Sequence, residues 1–99
     1  MSKSIDTVFK KYNYGDRGYK KIKMDLEQVI YKDYGSFDIE VSGLDNYRKK
    51  RIHGVVYIWE RGHKIVKEIH YISFSELANI LYIIDNLTLE EILKRDYWH

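Results

Sequence analysis

The stretch YRKKRIHG, residues 47–54, sets four consecutive cations, Arg48, Lys49, Lys50 and Arg51, directly ahead of a β-branched and aromatic run. Contiguous like charges repel one another and are relieved by something anionic. Phosphates would relieve them through counterion release, with a steep salt dependence. An acidic protein groove would do so with a weaker one, and a solvated loop needs no partner at all. The run that follows, IHGVVYIWE (52–60), alternates: His53, Val55, Tyr57 and Trp59 fall on one side of a strand, Ile52, Gly54, Val56 and Ile58 on the other. His53, Tyr57 and Trp59, flanked by Lys64 and the 48–51 cations, make a candidate binding platform. Aromatic rings beside cations suit stacking of nucleobases and equally suit protein hot spots, where Trp, Tyr and Arg are enriched.

Other groupings offer less. If Arg61 and Gly62 form a two-residue loop, Glu60 faces His63, Ile58 faces Ile65, Trp59 faces Lys64 and His53 faces His70. Two histidines across a strand pair can reach one ion, but a catalytic zinc site takes three protein ligands and an outer layer of partners, so no metal is expected. Asp38 and Glu40 point the same way along their strand; paired carboxylates can divide acid and base roles, yet alternating acids on a wet strand face are ordinary. GDRG (15–18) lacks the spacing and the Lys-Ser/Thr of a phosphate loop. No Ser, His and Asp grouping carries a nucleophile signature, and a chain without Cys has no thiolate chemistry. The expectation is a protein that is not an enzyme and takes no cofactor.

These residues need elements to hold them. Ile5, Val8, Phe9 and Tyr12 have the spacing of a short amphipathic helix, which NYGDRG (13–18) ends. Ile22, Leu26, Val29 and Ile30 suggest a second helix over 20–34, with Gly35 as its stop. In SFDIEVSG (36–43) the period falls to two, and IHGVVYIWE and KIVKEIHYI (64–72) supply two further strands. Ser73 and Glu76, then Thr88 and Glu91, are spaced as capping boxes for a helix over 74–86 and a short last helix to about Tyr97. The expected fold is α+β: a three-stranded antiparallel sheet with helices before and after it, in the order α-α-β-β-β-α-α. A helix at 20–34 could lie over Tyr57 and Trp59, since large apolar residues are usually inside; left bare, they would be the platform.

The totals bound the function. At 99 residues the chain is one domain, and residues 1–18 could serve as a mobile basic arm. Net charge is +2, too small for the whole surface to act as a polyanion binder. The cations gather instead at 1–23, where seven Lys and Arg oppose Asp6 and Asp16, and at 48–51. No apolar run approaches the roughly 20 residues of a membrane helix, and the charged first ten residues are unlike a secretory leader. A cytoplasmic location is expected, with no membrane partner. Ile, Lys, Tyr and Asn are favoured over Ala and Pro, the bias of A/T-rich codons, which fits a low-GC bacterium or its mobile elements.

The stretch YKDYGSFDIEVSG (31–43) resembles the start of the folded core of a phage-borne type II-A anti-CRISPR family, the small inhibitors of Cas9. The shared features are an aromatic-Lys-Asp-aromatic-Gly turn and an aromatic-acid-Ile strand ending in Ser. Two more strands, a long Ile/Leu helix, an Ile-Asp-x-Leu step in IIDNL (83–87) and a short last helix follow in the same layout, so the resemblance spans roughly 20–97. It departs at the N-terminus, where the family carries a long, basic, disordered arm and this chain a short, partly helix-patterned one. The resemblance implies inhibition by occupancy, with Lys10, Lys11, Arg17, Lys20, Lys21, Lys23 and the 48–51 run engaging guide RNA or an acidic face of Cas9. Two other readings stand beside it: a single-stranded nucleic-acid binder that uses Tyr57, Trp59 and residues 48–51, and a homodimeric structural or regulatory phage protein joined through its aromatic sheet face.

Overall fold

The computed structural model describes residues 3–24, 27–44, 53–61 and 63–98. Among them lie helix α1 (Lys3–Lys11), strands β1 (Lys20–Met24), β2 (Glu27–Asp33), β3 (Asp38–Val41), β4 (Gly54–Glu60) and β5 (Lys64–Tyr71), and helices α2 (Phe74–Asp85) and α3 (Leu89–Lys94). The strands form one antiparallel sheet in the order β1-β2-β3-β4-β5, each beside its neighbour in sequence.

The α+β class holds, but the sheet has five strands, not three, and residues 20–33 are a hairpin where the 3.6-residue spacing suggests a helix. The reason lies in what the same apolar residues can do across a strand pair. Ile22 faces Val29 and Lys21 faces Ile30, and Val29-Ile30-Tyr31 is the β-branched and aromatic composition that fits a pleated surface. Gly35, with φ of 93°, is therefore not a helix stop but part of the turn into β3. There its N–H donates to the Asp33 carboxylate at 2.7 Å, and the Tyr34 N–H to the Phe37 carbonyl at 2.9 Å.

The core lies on one face of the sheet. Ile30, Val41, Val56 and Ile69 stand in register across four strands, and Ile39 faces Ile58 beside them. All are buried, with Leu77, Ile80, Leu81 and Ile84 of α2, Ile92 of α3 and Ile5 and Val8 of α1 in the same cluster. Removing such a side chain from water contributes about 1.5–3 kcal/mol. The alternation places the helices on this face alone. A second consequence of the meander is tight backbone contact at its centre. A Cβ on Gly54 would run into the Tyr71 ring, and the Tyr71 hydroxyl donates to the Ser42 carbonyl. Glycine is thus fixed opposite Tyr71 because the ring occupies the space a side chain would take.

The β4–β5 pairing differs from a two-residue loop. Glu60 faces Lys64, Trp59 faces Ile65, and after an irregularity between Ile58 and Trp59 the partners become Ile58–Lys67, Tyr57–Glu68 and Val55–His70. The loop is one residue longer, with Arg61 at φ 51° and the His63 N–H donating to the Glu60 carbonyl at 3.0 Å. Val66 is the extra residue of the bulge, so Ile65 moves to the face of Trp59. Both helix starts follow their caps. The Ser73 hydroxyl accepts from the Glu76 N–H at 3.1 Å. At α3 the box is reciprocal: Thr88 Oγ1 accepts from the Glu91 N–H at 3.2 Å and Glu91 Oε1 from the Thr88 N–H at 2.9 Å.

Candidate functional site

The sheet face away from the helices is the candidate site. Its central row runs Lys20, Tyr31, Glu40, Tyr57, Glu68 from β1 to β5. The next row, toward the β2–β3 turn, runs Asp33, Asp38, Trp59, Ile65. No helix among the described residues is placed over it: the segment that could have covered Tyr57 and Trp59 joins the sheet as β1 and β2 and widens the face instead. Tyr31, Tyr57 and Trp59 are half-buried, and Ile65 is 40% exposed.

Rings and acids on this face are bonded to one another. The Trp59 Nε1–H donates to Glu40 Oε1 at 3.0 Å, and the Tyr31 hydroxyl to Asp38 Oδ2 at 2.6 Å. That bond to Asp38, joined by some burial, pushes the Tyr31 phenol up to about 12. His70 Nε2 lies 3.9 Å from Glu68 Oε1. Among the described residues the face is therefore aromatic and acidic.

Those expected site residues that are described do not converge. Lys20 lies on this face beside Tyr31, while Lys21 and Lys23, one and three residues on, take the helix side by alternation. Lys21 is held there at 2.7 Å from Asp6 of α1. Lys64, opposite Glu60, falls on the helix side as well. His53 is exposed one residue before β4, at the far end of the strand from Trp59, about 20 Å away at the rise of a strand. Its expected partner His70 faces Val55 instead, because the longer loop and the bulge at Val66 each shift the register by one residue. Arg48, Lys49, Lys50 and Arg51 lie outside the described residues. Among the described residues, no group of three or more His, Asp or Glu is placed to hold a metal ion.

Arg17 has internal work. Its guanidinium pairs with Asp85 at the end of α2, lies 4.4 Å from the Tyr82 ring centroid, and is 16% exposed. The Tyr34 hydroxyl donates to Asp85 Oδ1 at 2.6 Å, Tyr19 and Tyr34 share a hydrogen bond of 2.8 Å, and Lys32 Nζ lies 3.7 Å from the same carboxylate. Burial raises Asp85, but the bonds from Tyr34 and Arg17 and the charges of Arg17 and Lys32 outweigh it and hold the carboxyl below its ordinary value. Burial pushes Tyr19 up to about 12 and Tyr34 further. This cluster joins the turn after α1, β2 and α2; no sequence signal marks it, because Arg17 and Asp85 are 68 positions apart.

No known protein family, curated protein or solved structure matches the chain. Among the described residues no helix is long and apolar enough to cross a membrane.

Proposed function

We propose that the protein is a non-catalytic binding protein of a phage or mobile element that acts by occupying a host nuclease complex, with Cas9 and its guide RNA the target suggested by the resemblance of residues 20–97. The observation that supports occupancy is the outer sheet face. Tyr31 of β2, Tyr57 and Trp59 of β4 and Ile65 of β5 lie on one sheet, half-buried or exposed, and on the side away from the helices. Large rings held on a rigid platform dock at low entropic cost and are the residue types that dominate interface hot spots. The nucleic-acid reading draws less support, because Asp33, Glu40 and Glu68 would confront phosphates on that face.

The test is titration of the protein into Cas9 cleavage reactions from several low-GC hosts. Inhibition of at least one enzyme is expected, and its loss in a Tyr57→Ala/Trp59→Ala variant that still folds. Full cleavage by every enzyme at excess protein rejects the reading.

A further inference from the structure

We infer that the surface seated on the outer sheet face is a cationic, arginine- and lysine-rich protein surface. The inference rests on the occupancy reading above and adds the chemistry of the partner. Among the described residues, alternation places five carboxylates on this face, those of Glu27, Asp33, Asp38, Glu40 and Glu68, against one ammonium, Lys20; of the five, Asp38 is buried. The chain as a whole carries +2, so the sign of the described residues on this face is opposite to that of the chain.

The acids also sit among rings in the arrangement a guanidinium satisfies. Glu40 is tied to the Trp59 indole and Asp38 to the Tyr31 hydroxyl. A carboxylate offers about four acceptor positions, so the one bond from the Trp59 indole leaves half-buried Glu40 room for a further donor, whereas Asp38 is buried. Tyr57 stands between Glu40 and Glu68 in the central row. Arginine stacks on aromatic faces and bonds carboxylates through its planar fork, and lysine supplies the same charge without the fork. A second copy of the chain fits poorly, since face against face would confront carboxylates with carboxylates. A nucleic acid fits poorly for the same reason of sign.

The decisive experiment measures binding of a fluorescently labelled oligo-arginine peptide to the full chain, with labelled oligothymidine as the competing probe. Glu40→Gln keeps an oxygen for the Trp59 indole and Glu68 is exposed, so the double variant E40Q/E68Q is expected to fold, checked by its thermal midpoint. It should weaken peptide binding by about tenfold, as two lost ion pairs would. E90Q/D96N, on the helix side, removes the same charge and should stay within about twofold of the parent. Equal weakening by both variants, no peptide binding by the parent, or oligothymidine binding that depends on Tyr57 and Trp59 would each overturn the inference. The two readings fail separately. Cleavage inhibition that survives in E40Q/E68Q rejects the cationic partner and leaves occupancy standing; peptide binding on this face without inhibition of any Cas9 does the reverse.

Discussion

Asp85 takes a hydroxyl from β2's end, a guanidinium from the turn after α1 and the nearby charge of Lys32, so one carboxylate secures three separate stretches of chain. Asp85→Asn removes the charge while keeping the shape, and leaves a mostly buried Arg17 without its counterion. It should cost about 1–3 kcal/mol of stability at neutral pH, measured by urea unfolding. The sign of the pH dependence follows from the lowered folded-state value. The contribution is complete above the ordinary Asp range near pH 4 and is lost as pH falls through the lower folded value. The gap between parent and variant should therefore narrow in acid, and a gap unchanged between pH 7 and about pH 2 would contradict the assignment. Gly54 makes a second case: Gly54→Ala drives a methyl into the Tyr71 ring. A loss of about 1–3 kcal/mol is expected from overpacking, read in the same unfolding experiment.

At the level of elements, the sequence speaks clearly where a residue's partner is close in the chain. Thr88 and Glu91 are three apart, and the capping box they suggest is present with both bonds made. Thr88→Ala should cost about 1 kcal/mol, a fall in thermal midpoint of about 4–8 °C for a chain of this size. The alternation of β4 likewise places Tyr57 and Trp59 on one side from sequence alone. Residues 20–33 are harder, because Ile22, Val29 and Ile30 satisfy both a helical stripe and a hairpin, and only pairing with β3 decides between them. That one ambiguity hid most of the candidate site. With 20–33 as a helix, Tyr31 has no place beside Asp38, and the acids of β3 lie on an ordinary wet strand. The bulge at Val66 and the extra loop residue near Arg61 are similarly invisible, since neither one-residue shift leaves a mark on composition.

For the whole molecule, the sheet separates two kinds of surface: the helices and most of the placed lysines on one side, and on the other a face that carries Tyr31, Tyr57 and Trp59 with the acids of β2, β3 and β5. Its β1 edge reads Lys20, Lys21, Ile22, Lys23, and lysines on an edge strand discourage pairing with a neighbouring copy. Replacing Lys21 and Lys23 together with Val should raise self-association, visible as a concentration-dependent mass in sedimentation; a monomer at all concentrations would argue against this role. The meander also has a consequence in time. Every strand pairs with its neighbour in sequence, so the hairpins close over short loops, which form fastest, whereas the Arg17–Asp85 pair spans 68 positions. That contact should be among the last to form, and its loss should then speed unfolding while leaving the refolding rate nearly unchanged. On this view the join between the chain's first and last thirds governs how long the native state survives each opening, and the sheet governs how quickly it returns.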